Sequence, residues 1–189
     1  MGRSKRHARL VAAKELLDAA GIVAAIDSMA TRILEDGPDP DRLIVVGVRT
    51  GGAHLAARLA RALGAKLGRE VPVGVLDITL YRDDLFVGLP RPEIGPTSLP
   101  ASLDGRETIL VDDVLYTGRT IRAALEELIE YGRPRYVRLA VLVDRGNREL
   151  PIQADCAGLT IATTRRQTVQ VHLAEEGETD RVVLYDEAP

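Results

Sequence analysis

The stretch from Ile109 to Ile121, ILVDDVLYTGRTI, constrains this chain more than any other. Ile109, Leu110 and Val111 form an apolar run that reads as a buried strand, predicted to end on two adjacent carboxylates, Asp112 and Asp113. A short turn, Tyr116-Thr117-Gly118-Arg119-Thr120, then opens a helix over Ile121–Tyr131 whose apolar positions are Ile121, Leu125 and Leu128. A helix start presents unpaired backbone N–H groups and the positive end of a dipole, which suits a phosphate. Carboxylates at a strand end accept hydrogen bonds from sugar hydroxyls or face a magnesium ion. Together these make a mononucleotide-type phosphate site. Two adjacent acids at the end of a buried strand are more expensive than helix capping requires, so the pair reads as functional.

The flanking sequence repeats the strand–turn–helix pattern. Glu15-Leu16-Leu17 reads as a short edge strand or a helix start. Asp18 is the expected N-cap of a helix carrying Ile22, Ile26, Met29 and Ile33 on one face, stopped before Gly37-Pro38-Asp39-Pro40. Leu43 to Val48 (LIVVGV) is apolar throughout, the pattern of a strand covered on both faces. It leads through Arg49-Thr50-Gly51-Gly52 into a helix with Leu55, Leu59 and Leu63 inward. The two glycines would let backbone approach a ligand closely. Val73–Thr79 is a further strand. Between Leu85 and Asp104, four prolines (Pro90, Pro92, Pro96 and Pro100) fall within eleven residues and forbid an ordinary helix, which predicts a long active-site flap. Tyr136–Val143 is another apolar strand, ending in Asp144-Arg145-Gly146-Asn147-Arg148. Leu159–Ala162, Val169–Leu173 and Val182–Tyr185 are strand-like, the last two a hairpin about Glu175–Glu178. This alternation predicts an α/β fold: a mainly parallel central sheet with helices on both faces, plus a flap loop.

Composition narrows the class. The chain is 46% hydrophobic but only 3% aromatic, so its core must be built from Val, Leu, Ile and Ala, as in α/β layers. A net charge of −3 makes any nucleic-acid surface a local patch. One cysteine, Cys156, excludes an intramolecular disulfide. No apolar run is long enough to span a bilayer, and the basic N-terminus (Arg3, Lys5, Arg6, Arg9) is not followed by an apolar signal segment. A cytoplasmic protein is expected, with a solvated N-terminal tail. His7, His54 and His172 lack metal-ligand spacing, and neither a Gly-x-Ser-x-Gly nor a Walker sequence occurs.

Three strand ends therefore converge: Thr50-Gly51-Gly52 with backbone donors, Asp112-Asp113 with acids, and Tyr116–Thr120 with a phosphate cradle. A ligand with two separate phosphate groups and a sugar diol between them would use all three.

LVDDVLYTGRT resembles the phosphoribosyl-diphosphate motif of type I phosphoribosyltransferases. LDITLYRDD at Leu76–Asp84, LVDDVLYTGRTIRAAL at Leu110–Leu125 and GRPRYVRLAVLVDRGNRELPIQAD at Gly132–Asp155 resemble, more narrowly, the PyrR family. Those proteins combine uracil phosphoribosyltransferase activity with regulation of pyrimidine operons through messenger RNA. The resemblance runs from about Asp18 onward. It implies one phosphoribosyltransferase domain over 18–189, with 1–17 a tail and possible edge strand and a flap at about 81–105. It further implies that Tyr116, Thr117, Gly118, Arg119 and Thr120 hold the 5′-phosphate and that Asp112 and Asp113 hold the ribose hydroxyls. Thr50, Gly51 and Gly52 would hold the diphosphate, with Mg2+ bridging it to the ribose, so that the two acids serve the metal indirectly. Arg82 and Asp83 would begin the flap, and Asp144 and Arg145 would border the base. The implied reaction joins uracil to phosphoribosyl diphosphate, giving UMP and diphosphate, in a homodimer or larger homo-oligomer. Purine-type relatives carry an acid where this chain has Tyr116, which favours a pyrimidine.

The regulatory half departs from the family. Thr50-Gly51-Gly52 stands where many members have Thr-Arg-Gly, and Asp27 and Thr31 stand where RNA-binding members have threonine and histidine. Asn147 replaces histidine, Gln153 arginine and Leu159 lysine, while Arg148 is kept. Lost cations weaken phosphate binding, so binding to a pyr leader mRNA is expected to be reduced or absent. Two alternatives stay open: an RNA-binding regulator with little catalysis, using Arg133, Arg135, Arg138, Arg165 and Arg166 as a basic patch, or a phosphoribosyltransferase for another base.

Overall fold

A computed structural model describes residues 10–78, 97–100 and 102–187. The elements run β1 (Leu10–Leu17), α1 (Ala19–Glu35), β2 (Leu43–Val48), α2 (Gly51–Leu67), β3 (Val73–Leu76), β4 (Glu107–Leu115), α3 (Arg119–Ile129), β5 (Tyr136–Asp144), β6 (Cys156–Thr160), β7 (Gln167–His172) and β8 (Arg181–Glu187). Five strands form a parallel sheet in the order β3-β2-β4-β5-β6.

The continuous apolar runs are explained by this sheet. Val45, Ile109, Val111, Ala140 and Leu142 face α1 and α2, where Ile22, Ile26, Met29, Ile33, Leu55, Leu59 and Leu63 are buried with them. The alternate residues Ile44, Val46, Leu110, Leu139 and Val141 pack on the opposite face with Ile121 and Leu128 of α3. Both faces are covered, as the strand compositions require. Leu125 is only partly buried at the edge of that second cluster.

A second sheet was not anticipated. β1 pairs antiparallel with β8, and β8 with β7, in the order β1-β8-β7. The hairpin of β7 and β8 is as expected, but β1 extends to eight residues because β8 gives it a partner from the far end of the chain. Val169 and Val182 of this sheet, with Leu173 just after β7, join the core beside α1 and α2. Arg58 of α2 fastens it, donating to Glu175 (Nε, 2.9 Å) and to both oxygens of Asp180.

Several boundaries differ from expectation. β4 does not stop at the acid pair but continues to Leu115, because β5 pairs with it as far as Leu115 opposite Asp144. β2 ends its pairing at Gly47 opposite Val111, so among the described residues no strand pairs with the acids on that side of β4. α3 begins two residues earlier than Ile121 and ends at Ile129 rather than Tyr131. β6 starts at the buried Cys156, ahead of the predicted Leu159. β3 ends at Leu76, and the predicted flap lies mostly outside the described residues, including Arg82 and Asp83. No described helix is long and apolar enough to cross a membrane.

Candidate active site

The sheet order makes β2, β4 and β5 neighbours, so the loops after them meet at one carboxyl edge, where parallel α/β sheets bind ligands. After β2 comes a cis peptide bond between Arg49 and Thr50, then the start of α2 at Gly51. Thr50 supplies no side-chain cap to that helix. A methyl group on Gly52 would lie 2.5 Å from the Val111 carbonyl oxygen, and one on Gly51 would lie 2.8 Å from Asp113 Oδ2. These glycines are required because the start of α2 packs against the end of β4. The tight approach that the paired glycines permit is thus made to the chain's own backbone. It brings the backbone donors of one loop against the acids of the next. Arg49 reaches sideways, its Nε 3.5 Å from the buried Asp77.

Asp112 is buried and Asp113 half-buried. Asp112 Oδ1 accepts from the Asp113 N–H at 3.0 Å, and Asp113 Oδ1 accepts from the Val114 N–H at 2.7 Å. These local bonds set both carboxylates in place on β4.

The turn into α3 pivots on Gly118, whose φ of +93° lies in the left-handed region that favours glycine. The N-cap, Gly118, supplies no side-chain cap to α3, although Thr117 Oγ1 accepts a long bond (3.4 Å) from the Arg119 N–H. The Thr117 carbonyl accepts from the N–H groups of Glu149 (3.0 Å) and Leu150 (3.2 Å), tying the turn to the loop after β5. Arg119 Nε pairs with Glu149 at 2.9 Å. Thr120 sits half-buried in the first turn of the helix.

The loop after β5 is more inward than expected. Asp144 accepts from the Gly146 N–H (3.0 Å) and pairs with Arg148 at 2.5 Å. Arg148 donates to the carbonyl oxygens of Tyr116 (2.8 Å) and Ile152 (2.9 Å), which makes it a strut between two site loops. Arg145 is buried, its Nε donating to Thr163 Oγ1 at 3.2 Å, with its guanidinium 4.0 Å from the centre of the Tyr116 ring. Burial lowers the pKa of Arg145, opposed by the Tyr116 hydroxyl. The structure therefore gathers Thr50, Gly51, Gly52, Asp112, Asp113 and Tyr116–Thr120 at one edge, and it sets Asp144 and Arg145 behind them. Thr163 escaped sequence reading, as did the pairing of Arg49 with Asp77, since nothing local marks a partner contributed by another strand or loop.

The candidate RNA positions are largely occupied within the chain. Asp27 pairs with Lys66 at 2.8 Å, the Thr31 hydroxyl donates to the Asp27 carbonyl, and Asn147 Nδ2 donates to the Thr163 carbonyl at 2.8 Å. Arg138 pairs with Asp36 (2.6 Å) and Arg135 with the buried Glu107 (2.9 Å). Arg133, Arg165 and Arg166 are exposed.

Residues 12–176 match the phosphoribosyl transferase domain family. The hypoxanthine phosphoribosyltransferase of Trypanosoma cruzi has the same fold, with a TM-score of 0.70 at 21% identity over 94% of this chain and 98% of that one. The chain is thus a phosphoribosyltransferase by fold and family. It is 50% identical to the bifunctional protein PyrR of Thermus aquaticus over 91% of this chain and 95% of that protein. With the PyrR of Mycolicibacterium paratuberculosis the identity is 51%, covering 90% and 92%. Within its class, the chain belongs to the PyrR family.

Proposed function

We propose that this protein transfers the ribose 5-phosphate of phosphoribosyl diphosphate to uracil, giving UMP and diphosphate. One observation carries the reading: the acid pair of β4 lies between the starts of α2 and α3, at neither of which the N-cap residue's own side chain closes the helix. In this reading the ribose diol faces Asp112 and Asp113, the 5′-phosphate lies on the Gly118–Thr120 amides and the diphosphate lies on the Thr50–Gly52 backbone. The amides stabilise negative charge on the leaving diphosphate as positive charge develops on the ribose. In the first position of the phosphate turn, Tyr116 offers a ring in place of a carboxylate, which supports a pyrimidine.

Among the described residues, no group of three or more His, Cys, Asp or Glu gathers to hold a metal. Two carboxylates alone fit a magnesium ion that arrives on the substrate, with Asp112 and Asp113 supporting it through the ribose hydroxyls. When bound, that ion would neutralise diphosphate charge.

The test is product formation from phosphoribosyl diphosphate with uracil, hypoxanthine or guanine in turn. UMP from uracil alone is expected; product from a purine and none from uracil would overturn the assignment.

The internal pairing of Asp27, Asn147, Arg135, Arg138 and Arg148 supports weak RNA binding. Filter binding of a pyr leader RNA at low salt should show little retention, with or without UMP. Tight, UMP-stimulated retention would contradict this.

A further inference from the structure

The side of the site away from the diphosphate loop holds a buried cation with no acidic partner among the described residues. Arg145 is 5% exposed, and each hydrogen bond that its guanidinium makes to the described residues ends on a neutral oxygen. Those acceptors are Thr163 Oγ1 and the carbonyls of Thr164 and Gln167. The adjacent carboxylate, Asp144, is engaged by Arg148 at 2.5 Å. The guanidinium carbon of Arg145 lies over the ring of Tyr116, 4.0 Å from its centre. A guanidinium keeps its charge under such burial, and neutral dipoles do not cancel its field.

The sheet order gives this charge a direction. β4 carries the acid pair, the diphosphate loop follows β2 on one side, and Arg145 follows β5 on the other. In a displacement at the anomeric carbon, the incoming base and the leaving diphosphate lie on opposite faces of the sugar. A base approaching from the β5 side would pass over Tyr116, whose ring stacks with Arg145. This step rests on the proposed uracil transfer.

We propose that Arg145 is a positioning residue for that reaction: it carries Tyr116 as a flat platform for the pyrimidine and sets a positive charge behind it. Negative charge gathers on uracil as N1 gives up its proton to solvent. The N1 electron pair forms the bond to C1′, and the C1′–O bond breaks with its electrons leaving on diphosphate. A cation behind the platform lowers the cost of that charge without touching the base.

A purely structural Arg145 would slow all bases equally, so the test compares uracil with 5-fluorouracil, whose N1 proton is more acidic. Arg145→Met should lower kcat/KM for uracil by roughly 30-fold or more. The loss for 5-fluorouracil should be at least about threefold smaller, and Arg145→Lys should recover part of kcat because it keeps the charge. If Arg145→Met does not fold, Tyr116→Leu, which removes the platform above the cation, should show the same base-dependent loss. Equal losses for the two bases, or activity near that of the unaltered protein, would overturn the inference. Absence of UMP formation by the unaltered protein would instead overturn the uracil reading on which it rests.

Discussion

The chain begins its helices in two different ways. α1 is closed: the side chain of its N-cap, Asp18, accepts from the Gly21 N–H at 2.7 Å. At α2 and α3 the N-cap residue makes no such bond, Thr117 Oγ1 accepting only a long one from the Arg119 N–H at 3.4 Å, and both helices start at the carboxyl edge of the parallel sheet beside the acid pair. Helix starts leave amides to be satisfied by side chains, water or ligands. A closed start spends its donors on stability, whereas an open one keeps them for a phosphate. The difference separates scaffold from site within one sheet-and-helix framework.

The comparison can be broken at several points. Asp113→Asn, which leaves both open starts intact but weakens the grip on the ribose diol, should lower kcat/KM for UMP formation by about 10³-fold, on the order of 4 kcal/mol. Unchanged activity would separate the acids from the site. Gly52→Ala forces a methyl group onto the Val111 carbonyl and should cost about 3 kcal/mol in urea unfolding. A neutral result would mean that the start of α2 is not held against β4.

A third change falls outside the parallel sheet. Glu175 and Asp180 titrate below the usual carboxylate range because Arg58 hydrogen-bonds their oxygens. Their contribution is therefore complete above the ordinary carboxylate pKa and lost as pH falls through the depressed folded values. Arg58→Met should destabilise the protein by about 2 kcal/mol near neutral pH. That deficit should shrink on acidification as the carboxylates protonate. An equal deficit at every pH would mean that the pairing is not what fastens β7 and β8. Smallest is Asp18→Ala, expected to cost about 1 kcal/mol in stability with UMP formation unchanged.

Much of this was legible in local sequence. Asp18, the α1 stripe from Ile22 to Ile33, the LIVVGV strand and the turn at Gly118 all follow from short-range rules of capping, periodicity and turn geometry. The paired sheet of β1 and β8 was not legible, because it joins the two ends of the chain and leaves no signal near either. The run of β4 through the acid pair depends on how far β5 extends beside it, which Asp112 and Asp113 do not encode. Arg148 reads in sequence as a kept RNA position and Arg145 as a border of the base, but the partners that hold them, Tyr116, Ile152 and Thr163, lie on other loops and leave no local mark. Arg82 and the body of the predicted flap lie outside the described residues.

The most direct test of open against closed helix starts is an amide ¹H–¹⁵N NMR titration with phosphoribosyl diphosphate and magnesium. The amides of Gly51, Gly52 and Gly118 to Thr120 should shift with a single saturating dependence on ligand, while those of Ala19 to Gly21 stay fixed. Shifts at α1, or silence at the starts of both α2 and α3, would contradict the account.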